Sequence, residues 1–351
     1  MKIVIINNGL AGGGIERAST SMANQFTRWG HNVYIIALYK SKHFLPLEKS
    51  IKFVEPIQES NGNRFYVLYM MKYVRKQIQT INPDTILAYN EWTNPYVLFA
   101  LQGLKYPIYV TDRMSPLMPI PFITKILKKI FYKKASGVIA QTQFAKEIIS
   151  SNNNVKRIKV ISNPVNVIDA IQCPKKNIIV TVGRLTKEKG HKYLIEAFAK
   201  IKHTDWSLSI IGDGNQKENL QTLAKELGVD HKIIFHGHKL NFIKELSEAR
   251  IFVLPSLSEG FPNAVIEAMS VPLPCIATRC TPAMDEVIEN GINGILTEKG
   301  NSIALAEAID KLIDDEVLQN NLAKNAYKVR ETLAFEKIAK EYLEYISGKE
   351  N

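Results

Sequence analysis

Residues Pro255–Ser270 read PSLSEGFPNAVIEAMS, and this stretch decides how the second half of the chain folds. It follows the apolar run Ile251–Leu254, which is typical of a buried parallel strand. Pro262 suits the first turn of a helix because its φ is fixed and it has no N–H to leave unsatisfied. The sequence therefore predicts a strand, then a loop, then a helix.

The start of the predicted helix is a candidate site for an anion. The N–H groups of Asn263 and Ala264 would have no partner within the helix and would point out of its end. Backbone donors and the helix dipole together favour phosphate at such a position. We therefore expect this end of the strand to hold a phosphate group.

Two carboxylates flank the helix start, Glu259 in the loop and Glu267 within the helix. Asn263 and Glu267 are four residues apart and share a helix face. Glu267 interrupts an apolar run, where a carboxylate is costly unless it has partners. Either the helix is amphipathic with one hydrated Glu, or Glu267 accepts hydrogen bonds from a vicinal diol beside the bound phosphate. The second acid eight residues away favours the diol.

This segment resembles the E-x7-E motif of family 4 retaining glycosyltransferases, with Glu259 and Glu267 as its acids. In that family the first acid contacts the donor sugar and the second binds the nucleotide ribose. The resemblance also makes the residues between the acids candidates for donor binding. They are Gly260, Phe261, Pro262, Asn263 and Ala264.

A second segment, GRLTKEKG at 183–190, places two cations between a predicted strand and a predicted helix. Arg184 can bridge two phosphate oxygens and Lys189 supplies a point charge, so the pair is suited to a diphosphate. The segment resembles a phosphate-binding element of the same family, which makes Gly183, Arg184 and Lys189 donor-binding candidates. Family members bind the base near the loop at His238, so His238 is a further candidate.

The beginning of the chain also reads as strand, glycine loop and helix. Ile3–Asn8 is a predicted buried strand, and residues 9–17 read GLAGGGIER. A nicotinamide site would need an acid after the next strand, where residues 39–42 read YKSK and contain none. The loop instead resembles the G-G-x-E opening of family 4 enzymes, carried by Gly13, Gly14 and Glu16, which closes over the donor diphosphate.

The composition is that of a globular chain large enough for two domains. Of its 351 residues, 46% are hydrophobic and 23% charged. No apolar run reaches the roughly 20 residues of a membrane-spanning helix, and the N-terminal run is too short for a signal peptide, so we expect a cytoplasmic protein. Three cysteines with no nearby His indicate neither a disulfide framework nor a zinc site.

The positive charge is concentrated in the first half of the chain. Residues 1–165 carry 22 Lys and Arg against 8 Asp and Glu, a net charge of +14, whereas residues 166–351 carry 23 against 26, a net charge of −3. We therefore expect the first half to meet an anionic surface, either a membrane or a nucleic acid. The nucleic-acid interpretation is weaker because no recognised nucleic-acid module accompanies the charge.

Residues 119–135, PIPFITKILKKIFYKKA, predict a basic amphipathic helix. Its apolar residues recur at helical spacing and lysines occupy most of the other positions, which suits an anionic membrane surface. The alternative is the solvated face of an ordinary core helix. The candidate acceptor or membrane contacts are Lys125, Lys128, Lys129 and Lys133.

Asp112 and Arg113 follow the predicted strand Ile108–Val110, at the strand end where α/β sheets place ligands. We take them as candidates for the acceptor side, with Asp112 also a catalytic candidate. The alternative is an ordinary loop salt bridge. Many members of the family have a His in this neighbourhood and this chain has none, so the acceptor-side chemistry stays open.

The resemblance covers nearly the whole chain and implies the GT-B fold, with two Rossmann-like domains whose parallel sheets face a cleft. We predict an acceptor-binding domain at 1–168, a nucleotide-sugar domain at 169–333 and a C-terminal helix at 334–351 that packs back on the first domain. A departing nucleoside diphosphate gains negative charge, which Arg184, Lys189 and the helix start could stabilise. With no D-x-D triad found in a loop, we expect neither a metal nor another cofactor.

The predicted reaction is retaining transfer of a sugar from a nucleotide donor, taken as UDP, to a lipid-linked saccharide at the inner face of the cell membrane, in surface polysaccharide or glycan assembly. The expected partners are this donor, this acceptor and an anionic membrane, with no nucleic acid. Glu259, Arg184, Lys189 and Asp112 are the catalytic candidates. The alternatives are a non-catalytic membrane- or nucleic-acid-binding protein, or an NAD-dependent dehydrogenase. The sequence names neither the sugar nor the linkage.

Overall fold

The computed structural model describes residues 1–60, 64–165, 169–239 and 241–349. The chain forms two compact units, one of Met1–Ser162 with Glu336–Asn351 and one of Asn163–Phe335. These divisions differ by two to six residues from the domain boundaries that the sequence suggests. Residues 166–168, at the first predicted boundary, lie outside the described residues.

The first unit contains a seven-stranded parallel sheet in the order β3-β2-β1-β4-β5-β6-β7. Its inner strands read as apolar runs because helices cover both faces of a parallel sheet. β1 has five buried residues in succession, and β4 is buried throughout. The strands are β1 (Lys2–Asn7), β2 (Asn32–Ala37), β3 (Lys52–Val54), β4 (Thr85–Tyr89), β5 (Ile108–Thr111), β6 (Gly137–Ala140) and β7 (Ile158–Val160).

Among the described residues, five helices connect these strands. They are α1 (Gly14–Arg28), α2 (Arg64–Ile81), α3 (Asn94–Ala100), α4 (Phe122–Phe131) and α5 (Gln143–Asn153). The glycine loop leads into α1 as predicted, and the amphipathic pattern of residues 119–135 forms α4. α5 begins at a side-chain cap, since the Thr142 hydroxyl accepts a hydrogen bond from the Ala145 N–H.

The second unit contains a six-stranded parallel sheet in the order β10-β9-β8-β11-β12-β13. In both sheets the strand order reverses once, between β1 and β4 and between β8 and β11. Open α/β sheets bind ligands at the carboxyl ends of the strands beside such a reversal. The strands are β8 (Ile178–Val182), β9 (Ser207–Ile211), β10 (Ile233–Gly237), β11 (Ile251–Leu254), β12 (Cys275–Thr278) and β13 (Ile295–Thr297).

The helices of the second unit pack apolar side chains onto both faces of this sheet. They are α6 (His191–Phe198), α7 (Lys217–Glu226), α8 (Ile243–Glu248), α9 (Asn263–Met269), α10 (Ser302–Asp314), α11 (Glu316–Ala326) and α12 (Val329–Thr332). Across the described ranges, no helix is both long enough and apolar enough to cross a membrane.

The prediction of a helix near Met284–Glu289 is wrong. The structure has a short 3-10 turn at Pro282–Met284 followed by a single further turn, in which the Ile288 N–H donates to the Met284 carbonyl. The Asn293 side chain then accepts the Glu289 N–H at 2.8 Å. Asn side chains compete in this way for backbone groups that a helix would use, which ends the turn.

The C-terminal helix α13 (Phe335–Ile346) packs against the sheet of the first unit. The Tyr345 hydroxyl donates to the Arg157 carbonyl at 3.2 Å, and its ring meets the Tyr109 ring edge-on at 5.2 Å. Gly137 leaves room for this ring, since a Cβ there would lie 2.4 Å from the Tyr345 hydroxyl. The Thr85 hydroxyl donates to the Ile346 carbonyl at 2.9 Å. The last helix therefore completes the core of the first unit.

Replacing Tyr345 by Ala should destabilise the first unit by about 3–5 kcal/mol, because a fully buried ring leaves a cavity against β5 and β6. Hydrogen exchange of the β5 and β6 amides measures this as faster exchange. The matched control is Lys340→Ala, an exposed position on the same helix, which should change stability by less than about 0.5 kcal/mol. Unchanged exchange in Tyr345→Ala would show that α13 is not part of this core.

Candidate functional site

In the second unit, the carboxyl ends of β8 and β11 bring the two predicted motifs together. β8 pairs with β11 in parallel, so the loops that follow them leave the same edge of the sheet. The loop after β8 carries the GRLTKEKG segment and the loop after β11 carries Glu259. Sequence spacing alone separates these loops by about 70 residues, and the sheet topology makes them neighbours.

The two loops touch because Gly190 has no side chain. Its φ is +65°, and a Cβ there would lie 2.0 Å from the Pro255 carbonyl oxygen. The Leu257 N–H also donates to the Glu188 carbonyl at 2.8 Å. A positive φ and a backbone contact this close both require glycine. The loop after β8 is therefore held against the loop after β11 before any ligand arrives.

Lys189 and Glu259 form an ion pair at 2.7 Å across these loops. The pair is largely buried, with the side chains of Lys189 and Glu259 only 20% and 9% exposed. The Ser256 hydroxyl donates to the same carboxylate oxygen at 2.6 Å. The cation of one motif thus compensates the acid of the other, and both groups have a defined position.

Arg184 differs from Lys189 in its surroundings. Its side chain is 77% exposed, and its guanidinium is 3.8 Å from Glu188, a weak contact on the surface. The guanidinium is therefore accessible to an anion. Gly183 lies at the end of β8, between these cations and the sheet.

The predicted helix start needs a correction. α9 begins at Asn263 with Pro262 just before it, and the Asn263 N–H donates to the Phe261 carbonyl at 2.9 Å instead of pointing out of the helix. The Asn263 side chain accepts from Asn163 at 3.0 Å. The Phe261 ring is buried in the core of the second unit. Asn263 therefore contributes no free N–H to an anion site, because the tight turn at Pro262 uses it.

The other predicted donor-site residues lie in different surroundings. Glu267 is half-buried on α9, on the face it shares with Asn263. Gly260 and Ala264 are half-buried beside it in the loop and the first turn. His238 is exposed after β10, with β9 between β10 and β8. Gly13 and Gly14 belong to the first unit, where Gly14 begins α1 and Gly13 precedes it.

His191, which the sequence analysis did not select, is buried at the start of α6. Both ring nitrogens are without a hydrogen-bond partner among the described residues. Burial, and to a smaller extent Lys189, lower the pKa of His191 to about 4, so the ring is neutral at physiological pH. Its position directly after the Lys189-Gly190 turn is the signal that could have identified it.

In the first unit, Asp112 and Arg113 both contact other side chains. The Asp112 carboxylate accepts from the Tyr132 hydroxyl at 2.6 Å and forms an ion pair with Lys128 at 2.5 Å. The Arg113 guanidinium donates to the Tyr342 hydroxyl at 3.2 Å. Asp112 therefore does form a salt bridge, and its cation is Lys128 of α4.

Glu91, a buried carboxyl that the sequence analysis missed, lies beside Asp112. It follows β4, whose end is paired with the end of β5. Asn90, with φ of +97°, makes the turn and accepts the Asn94 N–H at 2.8 Å. Burial and the Asp112 carboxylate raise the pKa of Glu91 to about 7. An acid directly after a buried strand, as at Asp112, is the signal that could have identified it.

The candidate lysines of α4 and of the 3-10 turn Tyr132–Lys134 that follows it fall into two groups. Lys128 is turned inward to Asp112 with its side chain 12% exposed, so it is not a surface cation. Lys125, Lys129 and Lys133 are exposed. Large apolar residues on α4 are exposed with them. They are Phe122 (76%), Ile123 (61%), Ile126 (43%) and Ile130 (42%).

Within the described ranges, no group of three or more His, Cys, Asp or Glu side chains could hold a metal ion. Cys275 and Cys280 are buried and free, and burial raises the pKa of both thiols. Cys275 belongs to β12 and packs in the core.

Two sequence families match the chain in succession. The family described as Glycosyltransferase Family 4 matches residues 12–168, and the family described as Glycosyl transferases group 1 matches residues 169–329. Together they cover both units except for the first strand and the C-terminal segment.

Several relatives and solved structures are similar over their full lengths. An uncharacterized glycosyltransferase of Haemophilus influenzae is 27% identical, with 96% of this chain and 97% of the relative covered. The Campylobacter jejuni GalNAc-alpha-(1->4)-GalNAc-alpha-(1->3)-diNAcBac-PP-undecaprenol alpha-1,4-N-acetyl-D-galactosaminyltransferase is 25% identical, with 100% and 99% covered. The crystal structure of Anabaena HepE in complex with UDP has a TM-score of 0.85 at 20% identity, with 99% and 100% covered, which shows a shared fold.

These matches agree with two parallel α/β units. They contradict the dehydrogenase and non-catalytic alternatives raised by the sequence. The chain belongs to the family 4 glycosyltransferases and has the GT-B fold.

Proposed function

We propose that this enzyme transfers a sugar from a UDP-sugar to a lipid-linked saccharide, with retention of anomeric configuration, in assembly of a surface polysaccharide or glycan. The main support for binding of a nucleotide-sugar donor is the ion pair of Lys189 with Glu259, close in sequence to the exposed Arg184. The choice of UDP is supported by the fold shared with HepE, which was crystallised with UDP.

The chemistry follows from the charge that develops on the leaving group. Negative charge grows on the diphosphate as the glycosidic bond breaks, and fixed cations stabilise it most where the site excludes water. Lys189 is held in place by Glu259, and Arg184 is free to form two parallel bonds to phosphate oxygens. We propose that these cations take the role of a metal ion, so that no metal is required.

The two acids have different proposed roles. Glu259 is buried and fixed by Lys189 and Ser256, which suits a carboxylate that orients the donor sugar. Glu267 is half-buried on α9, which suits hydrogen bonds from the two hydroxyls of a ribose. Both assignments follow the resemblance of this segment to the family motif. Asp112 stays a proposed acceptor-side residue, held by Lys128 and Tyr132.

The proposed acceptor rests on the relatives and on the surface of α4. The Campylobacter jejuni relative acts on a saccharide carried by diphospho-undecaprenol, as its name states. α4 exposes four large apolar side chains beside Lys125, Lys129 and Lys133. Apolar residues inserting at the headgroup boundary, with lysines near anionic lipid, suit peripheral binding at the inner face of the membrane.

Removing either proposed phosphate contact should slow sugar transfer. Each charge-assisted hydrogen bond contributes about 1.5–3 kcal/mol, so we expect kcat/KM to fall about 10- to 150-fold in Arg184→Ala and in Lys189→Ala. Nucleotide release is measured on a panel of nucleotide sugars and polyprenyl-diphosphate saccharides, with and without a chelator.

The matched control is Lys187→Ala, an exposed cation of the same turn, which should keep the wild-type rate. Near-normal rates in the Arg184 and Lys189 variants would refute the cationic clamp. Loss of wild-type turnover on chelation would refute metal independence.

Membrane binding should depend on the exposed apolar face of α4. We expect the enzyme to sediment with vesicles of phosphatidylcholine and phosphatidylglycerol, less so at high salt, and Ile123→Glu to bind several-fold more weakly. The control is Val317→Glu, an equally drastic change at a side chain 71% exposed in the second unit. Equal sedimentation with pure phosphatidylcholine, or equal loss in both variants, would contradict this surface assignment.

A further inference from the structure

A cavity of about 520 Å³ lies in the first unit, at the carboxyl ends of β4 and β5. Its volume is within the range of about 300–1,000 Å³ that is usual for small-molecule sites. Glu91 and Asp112 line it from the ends of the two strands, and α4 and α5 line it from the sides. The cavity therefore lies where an α/β sheet places its ligand.

Glu91 has an open hydrogen-bonding position in this cavity. One carboxyl oxygen accepts the Arg113 N–H at 3.1 Å, and the other has no partner among the described residues. The residue is 5% exposed. A buried carboxyl oxygen without a partner costs free energy in the absence of a ligand. A ligand that donates a hydrogen bond to this oxygen would remove that cost.

Asp112 cannot supply the same position. One of its oxygens accepts from the Tyr132 hydroxyl and the other from the Lys128 ammonium. These two bonds fix Asp112 and leave Glu91 as the carboxyl in the cavity with an unused acceptor. The two acids lie side by side, and Lys128 forms its ion pair with Asp112.

The rest of the cavity suits a saccharide linked to an anionic, apolar carrier. Met114, Leu117 and Ile120 give it an apolar wall against which the C–H faces of a sugar ring can pack. Lys125 and Lys129 line it on the α4 side, next to the exposed apolar side chains of that helix. The cavity therefore combines a carboxyl acceptor, an apolar wall and cationic groups next to the exposed apolar side chains of α4.

We propose that this cavity binds the acceptor saccharide and that Glu91 accepts a hydrogen bond from one of its hydroxyls. The inference rests on the proposed function, because it names the site at which the proposed acceptor is recognised. Glu91 would then be a specificity-determining residue. Sites that hydrogen-bond a substrate hydroxyl discriminate strongly against an analogue that lacks it, since the buried group is left unpaired.

Glu91→Gln tests this proposal with little change in shape. The Gln oxygen can still accept the Arg113 N–H, which turns the amide NH2 toward the open position and replaces an acceptor by a donor. For the panel saccharide that the wild type uses best, we expect the acceptor KM to rise about 10- to 150-fold. The KM for the nucleotide sugar and its slow hydrolysis without acceptor should stay at wild-type values.

The acceptor KM of the wild type should also depend on pH, falling as pH rises through about 7, because the Glu91 carboxyl loses its proton there. The charged or titratable groups facing Glu91 are Asp112, Arg113, Lys128 and Tyr132. They remain in Glu91→Gln, so loss of the pH dependence in that variant assigns it to Glu91. A structural role alone would lower activity without flattening the profile.

Stability provides the folding control. The native pKa of Glu91 is raised above its ordinary value, so the native state holds this proton longer than the unfolded state does. Stability therefore falls as pH rises from about 4.5 to about 7, and Glu91→Gln removes that loss. The variant should melt at a higher temperature than the wild type at about pH 8, with a smaller difference at about pH 5.

Glu147→Gln is the matched control, the same substitution at an exposed position of α5. It should leave both KM values unchanged. Wild-type acceptor KM in Glu91→Gln, or an equal rise in the donor KM, would overturn the assignment of Glu91 while the proposed function stands. A wild-type enzyme that uses no saccharide of the panel would instead overturn the proposed function, and this inference with it.

Discussion

The ion pair between Lys189 and Glu259 determines the geometry of the second unit's site. Each side chain is largely withdrawn from water, and removing one partner of such a pair costs about 3–5 kcal/mol because the other charge stays buried. Ser256 adds a hydrogen bond to the same oxygen, and Gly190 lets the two backbones meet. The cationic segment after β8 and the acidic segment after β11 are thus one preorganised structure, built from two loops that follow adjacent strands.

The first unit also contains buried carboxyl groups, Asp112 and Glu91, that need partners. Asp112 forms an ion pair with Lys128 and accepts a hydrogen bond from Tyr132, which fixes its carboxylate at a buried position. Glu91, beside it, has one backbone donor and a raised pKa. The two neighbouring carboxyls therefore have different roles. Asp112 holds α4 against the sheet, and Glu91 keeps an acceptor oxygen available to a ligand. The difference between them arises from the Lys128 ammonium and the Tyr132 hydroxyl, which both bond to Asp112.

The net charge of the first half does not translate directly into a cationic surface. Lys128 forms an ion pair with Asp112 inside the unit, whereas Lys125, Lys129 and Lys133 are exposed beside large apolar side chains. Electrostatic attraction to a membrane depends on the cations that reach the surface and falls off within a Debye length. α4 therefore combines a structural lysine with a surface suited to anionic lipid.

By itself, the sequence determined the two-unit α/β architecture and the strand-loop-helix order around each motif, and it predicted which residues bind phosphate, because these follow from local periodicity, glycine and charge. Tertiary structure alone decided which groups meet. Lys189 pairs with Glu259, which is 70 residues away in the sequence, and the Asn263 N–H donates to the Phe261 carbonyl. Lys128 points inward to Asp112, and Glu91 lies beside Asp112. Strand order and burial decide such pairings, and neither is a local property of the chain.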